Sequence, residues 1–214
     1  MREGRPKTPA RRRRRPAPHP TGRIRDAGVA QVAWEAQGQS VLVVVVLRYS
    51  RALWAELMEE PTAASLCRAL LDGARYFGGS PRRWWLEYPD CWVVKQERDG
   101  TRWRFTSPLP ALARHLSTEL GVWMPRGRGL AEAALDYLAW EFVMKRARGR
   151  RADDNRALRA FLDETAQRRP HPVQPGRAID DVLAEERGYL RPLPVTLDGL
   201  DAVLSGGDED DAAD

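Results

Sequence analysis

The chain has 214 residues, 43% of them hydrophobic, with 35 Lys and Arg against 30 Asp and Glu, a net charge of +5. That is enough for one core domain with extensions. The longest apolar run, Val41 to Leu47, is too short to span a bilayer, and Cys67 and Cys91 make neither a ligand spacing nor a disulfide framework. A membrane span and a disulfide-stapled scaffold are therefore excluded, and the expected compartment is the cytoplasm. The basic N-terminus has no apolar segment behind it, so no signal peptide is expected.

Residues 1–25 are rich in Pro and Arg around "RRRRRPAPHP" and lack apolar periodicity, which predicts a disordered basic arm. Arg11, Arg12, Arg13, Arg14 and Arg15 suit contacts to DNA phosphates; the alternative is a solvated tail. A core is expected over residues 26–148. Val29–Trp34 reads as a first strand and Ser40–Leu47 as a second, nearly all apolar and so central in its sheet. Ala52–Met58 reads as a third, and the short links favour antiparallel neighbours. Leu66, Leu70, Ala74 and Phe77 then fall on one helical stripe, with Thr62 as the N-cap and Gly78-Gly79 as the stop.

Arg83–Glu87 reads as a fourth strand ended by Pro89, and Cys91–Lys95 as a short fifth. A second helix is expected in "SPLPALARHLSTELG" with Ser107 as cap, then a brief strand at "VWMP". A third helix is expected from Gly129 to about Ala147. Residues 149–195 form a helical C-terminal extension, with a helix from Asp153 to Arg168, and residues 196–214 an acidic disordered tail. Three hairpin-linked strands followed by alternating helices and strands, with no Gly-rich phosphate loop, exclude a doubly wound dinucleotide fold. The fold class expected is α/β: a ribonuclease-H-like mixed sheet, a three-strand meander plus two further strands, with flanking helices.

Phosphodiester chemistry on such a sheet needs two metal ions about 3.5–4 Å apart, held by converging carboxylates. The first strand, the end of the fourth and a later helix are the places to find them. Glu132 stands in the first turn after Gly129, with Asp136 one turn on; the alternative role is compensation of the helix dipole. Glu87 ends the fourth strand, with Asp90 nearby, and could equally be a solvated loop acid. On the first strand Ala33 occupies the expected site. Glu35 is a weak surrogate, displaced about 6–7 Å along the strand. His115 and His171 lack partners at metal-ligand spacing and read as surface or structural. The tryptophans (Trp54, Trp84, Trp85, Trp92, Trp103, Trp123, Trp140) read as core rather than as stacking platforms. Trp84 and Trp85 must face opposite sides of their strand, which leaves room for one of them to be exposed.

The segments "AQVAW", "YSRALWAEL", "TAASLCRALLDGARYFGGSPRRWWLEYP", "RGLAEAALDYLAWEF", and "RRPHPVQP" with "AEERGYLRPLP" resemble, in this order, IstA-type insertion-sequence transposases, whose catalytic core is like that of retroviral integrases. The resemblance implies DNA transposition and integration by metal-dependent strand transfer, with an Asp–Asp–Glu triad. By position the first Asp falls on Ala33, the second on Glu87 and the Glu on Glu132. One ligand is absent and one is lengthened, which implies impaired catalysis, a loss of about 10³-fold or more in rate. Mg²⁺ or Mn²⁺ would be the cofactor of an active form. Implied partners are DNA, through the arginine arm and through Arg126 and Arg128, an ATPase helper protein and a second copy in a homo-oligomer. The alternative is a non-catalytic DNA-binding remnant or interaction module of the same fold, with Leu158, Phe161 and Leu162 as a possible contact surface.

Overall fold

A computed structural model describes residues 24–87, 94–96, 103–124, 127–146 and 150–194. Strand β1 (Val29–Gln37) runs three residues past the expected end, because the chain reverses only at Gly38, whose φ of 70° a side chain would resist. It pairs antiparallel with β2 (Ser40–Leu47), and β2 with β3 (Leu53–Met58). Helix α1 (Ala63–Phe77) begins at Thr62, whose side chain accepts from Ser65 N, and ends at Gly78 in the left-handed region. Both caps stand where the sequence puts them.

β4 (Arg83–Glu87) then lies parallel to β1. Next come β5 (Val94–Gln96) and β6 (Trp103–Phe105), an antiparallel pair apart from the main sheet. The expected strand at 91–95 is therefore not the fifth strand of the sheet. That place belongs to β7 (Glu119–Trp123), parallel to β4. The second helix is correspondingly shorter, α2 (Leu109–His115), with Pro108 at the N-cap and no side-chain cap from Ser107. It stops because Ser117 turns the chain at a φ of 52°, and the "TELG" expected in the helix enters the sheet instead. The five-stranded order is β3-β2-β1-β4-β7, the meander-plus-two arrangement expected.

Helices cover both faces. Alternate residues of the strands, among them Val32, Val45, Trp54 and Trp84, pack with α1 and α2 on one face. The other set, Ala33, Leu42, Val44 and Val46, packs under α3 (Leu130–Leu138), its π-helical continuation Ala139–Val143, and α4 (Arg151–Phe161) with its own π-helical turn Leu162–Ala166. Leu158 and Leu162 are fully buried there, so their use is packing on the core. A last helix, α5 (Ile179–Glu186), lies within the C-terminal extension expected to be helical, at a place the sequence does not mark; Ile179 and Leu183 join the first face.

The C-terminal segment also completes the sheet's polar accounting. β3 is an edge strand, and exposed edges invite pairing with other chains. Gln167 accepts from Leu53 N (3.3 Å) and donates to Leu53 O, while Asn155 accepts from Leu57 N (2.8 Å) and donates to Leu57 O (3.1 Å). Two side-chain amides thus stand in for a neighbouring strand. Glu186, fully buried, accepts from Gly28 N (2.9 Å) and Ser50 N (2.8 Å). Residues 150–194 are in this way bonded into the core, at both ends of the sheet's first hairpins. Of the expected disordered arm, Ile24 and Arg25 form a 3-10 turn with Asp26; the rest of it, and the acidic tail, lie outside the described residues.

Candidate functional site

Glu87 and Glu132 do meet beside Ala33. One cleft of about 430 Å³ is lined by Ala33, Trp34, Glu35, Glu87, Arg128, Glu132, Leu135 and Asp136. Parallel pairing places Val32 opposite Leu86, so Ala33 and Glu87 follow one step on, on the face under α3. The start of α3 supplies Glu132. Arg11–Arg15 and Arg126, named as DNA contacts from sequence, lie outside the described residues.

The carboxylate of Glu87 is 2% exposed, and its oxygens are already engaged. Oε1 accepts from Ala131 N (3.3 Å) and Oε2 from Glu132 N (3.1 Å). These N–H groups belong to the first turn of α3, which has no partner for them within the helix. Gly129, at the N-cap, offers no side chain; Glu87 caps the helix from another element, 44 residues away in the chain. The approach is so close that a Cβ on residue 129 would overlap the Glu87 carboxylate. Glycine is therefore required here for contact rather than for a left-handed backbone. Burial pushes the Glu87 carboxyl above the usual range and the nearby Glu132 charge adds to this, while the N–H donors of α3 pull the other way.

Glu132, half-buried, also serves the backbone: its Oε2 accepts from Gly129 N at 3.3 Å. Glu35 is exposed and accepts from Gln37 Nε2 at 3.4 Å. It lies within β1 rather than at a turn. Asp136 is taken by Arg128, with which it forms an ion pair across the mouth of the cleft.

A two-metal centre does not fit these donors. The position between Val44 and Glu87 carries a methyl group, Glu87 accepts an N–H of the first turn of α3 at each oxygen, and Glu132 accepts one through Oε2. Among the described residues no three His, Cys, Asp or Glu side chains converge as a metal site. The cleft instead presents four acids against one arginine, a lining that repels phosphate in the absence of a cation.

Sequence reasoning placed the acids but missed what occupies them. The missed signal is Gly129 standing at an N-cap position with no Ser, Thr, Asp or Asn, which leaves that turn to be capped from elsewhere. Of the histidines, His171 is buried and structural. Val173 N and Gln174 N donate to its Nδ1 (3.2 and 2.9 Å), and its Nε2 donates to Tyr49 O (3.0 Å). Among the tryptophans, Trp54 and Trp84 are core at 1% exposure, whereas Trp140 (59%) and Trp103 (37%) are on the surface, against expectation. Trp92 lies outside the described residues.

No family model matches the chain. Over 176 residues it is 26% identical to a Geobacillus stearothermophilus protein assigned provisionally as the transposase for insertion sequence element IS5376, covering 77% of this chain and 43% of that protein. The chain thus spans less than half the length of the curated relative. Its fold is similar to that of the catalytic core domain of BIV integrase, with a TM-score of 0.52 and 11% identity over 76% of this chain and 97% of that one. At that identity the likeness concerns the fold alone: an integrase-like, ribonuclease-H-like core. The chain is therefore similar to an insertion-element transposase and carries an integrase-like core. No helix among the described residues is long and apolar enough to cross a membrane.

Proposed function

We propose that this chain is a transposase-like DNA-binding core whose strand-transfer centre has been dismantled. The observation that carries the reading is the engagement of the Glu87 carboxylate with the first turn of α3, beside a methyl group at Ala33. A Mg²⁺ or Mn²⁺ pair would need the first carboxylate as a bridge and the second turned toward the ions. The methyl group at Ala33 and the turn of Glu87 toward the N–H groups of α3 support the reading without catalysis, and no chemical step is assigned to these residues. The core retains the sheet and helices of an integrase-like protein, and with the chain's net positive charge this supports binding of nucleic acid without cutting it.

The experiment is strand transfer on pre-cut element ends with Mg²⁺ or Mn²⁺, run alongside DNA binding at low and physiological salt. The expected result is no turnover that Glu132→Gln removes, together with binding that weakens steeply as salt rises. Turnover abolished by Glu132→Gln would restore the catalytic reading. Affinity unchanged by salt would remove the DNA-binding one. Contacts with an ATPase helper or with a second copy belong to the same reading, and pull-down and sedimentation test them.

A further inference from the structure

The face of the sheet that carries Glu87 continues past the cleft, and what stands there is aromatic and basic. Strand alternation puts Arg83, Trp85 and Glu87 of β4 on this face, with Gly121 opposite Trp85 and Trp123 opposite Glu87 on β7. Gln31 of β1 stands on the other side of Trp85. Trp84, one residue away, is sealed in the core, but Trp85 and Trp123 are only half-buried.

The two rings meet edge to face, 5.8 Å between centroids. The six-membered ring of Trp85 lies over Gly121, where a Cβ would overlap it. The Arg83 guanidinium stands 5.4 Å from the Trp85 ring and that of Arg48 5.4 Å from the Trp123 ring. Beneath them Gln31 is 3% exposed, and its Oε1 has no hydrogen-bond partner among the described residues; nor has the Nε of Arg48. Both arginines are ion-paired, Arg83 with the exposed Glu119 and Arg48 with Asp26 (3.4 Å), so the patch combines two half-buried aromatic rings with two arginines whose charge is locally balanced.

We propose that Trp85 and Trp123, with Arg48 and Arg83, form a platform for single-stranded or unpaired nucleic acid. Aromatic rings stack on bases of any sequence, and arginines beside them supply cation–π contact and reach phosphates. The occupant follows from the rings and from Arg83. The neighbouring cleft is acidic and repels phosphate, whereas here Arg83, held only by the exposed Glu119, can exchange that carboxylate for a phosphate while Arg48 stays with Asp26. A polyanion with flat bases matches the rings and the arginine beside them. This inference rests on the reading of the chain as a nucleic-acid-binding core, and narrows it to a place and a substrate class.

The test is equilibrium binding of oligothymidine by the full chain, read by fluorescence anisotropy, with photocrosslinking of a bromouracil-substituted strand mapped by mass spectrometry. Trp85→Ala and Trp123→Ala each weaken binding about tenfold with the salt slope unchanged, and Trp85→Phe keeps most of the affinity. Crosslinks in the unsubstituted protein fall on Trp85 or Trp123, which needs no variant to fold. Salt-dependent binding that is untouched by both alanine changes, or crosslinks that map elsewhere, overturns the platform and leaves the broader reading standing. Tighter binding of duplex than of single strand does the same. No binding of any nucleic acid overturns both. Self-association lost in Trp123→Ala, without oligonucleotide binding, assigns the patch to a second copy.

Discussion

Gly129→Ala isolates the contact on which the account of the cleft depends. The backbone at 129 has φ −69° and ψ 167°, a conformation any residue adopts, so alanine brings no backbone strain. What it brings is a methyl group in the space of the Glu87 carboxylate. The carboxylate must move off, and its bonds to Ala131 N and Glu132 N (3.3 and 3.1 Å) are lost. Hydrogen bonds to a charged group contribute about 1.5–3 kcal/mol each, and these are long, so the low end applies and the pair amounts to about 3 kcal/mol. For a chain of this size that lowers the thermal midpoint by about 6–12 °C. The assay is urea denaturation of the wild type, Gly129→Ala, Glu87→Ala and the double variant. If Glu87 is a cap, the two changes remove the same interaction, and the double variant loses little more than either single one, a coupling of about 2 kcal/mol. Additive losses, or a Gly129→Ala chain within about 0.5 kcal/mol of wild type, would refute the capping argument.

Ala33→Asp adds the missing carboxylate in a position 5% exposed, beside Glu87, and should destabilise through desolvation and like charge. Millimolar Mn²⁺ should not recover that loss, since Glu87 and Glu132 stay on the helix turn; recovery in a melting curve would show a latent metal site. Gln167→Ala strips both partners from Leu53 on the β3 edge, at a cost of about 1–3 kcal/mol, and should raise light scattering on mild heating. His171 gives a pH signature. Its ordinary value is 6.5, and burial lowers it in the fold. The neutral ring is therefore favoured when folded, so its contribution is fully present above 6.5 and lost as pH falls from 6.5 through the lower folded value. Protonated Nδ1 would face the Val173 and Gln174 N–H groups. Denaturation midpoints should fall with acid in that window, and His171→Gln should flatten the slope; an unchanged slope would rule out His171 as its source.

Legibility differed between elements for identifiable reasons. The β1–β4 strands and α1 are marked by local signals: the alternation and apolar run of Val41 to Leu47, the Thr62 cap, the Gly78 stop. The start of β7 reads as helix because "STELG" is a fair helical continuation; it becomes a strand when the chain turns at Ser117 and pairs with the edge of β4. The bounds of α5 are not legible because its apolar positions, Ile179, Val182 and Leu183, are too few to stand out from the polar residues around them. At the cleft, the positions of Glu87 and Glu132 were readable from where strands and helices end. The use of Glu87 was not, because its partners are backbone N–H groups, which every sequence supplies.

The sequence by itself determined the first four strands with α1 between them and the apolar faces of the sheet, since periodicity and capping are local properties, whereas the meeting of two acids beside Ala33 was implied only through the expected fold. The tertiary structure alone decided three things: that Glu87 ends on the N-terminus of α3, that Gln167 and Asn155 close the β3 edge, and that Trp85 and Trp123, half-buried, meet each other while Trp84 is sealed in the core. Each joins groups far apart in the chain, or sets how much of a face a helix covers. Such outcomes follow from packing the whole sheet, and no window of sequence contains them.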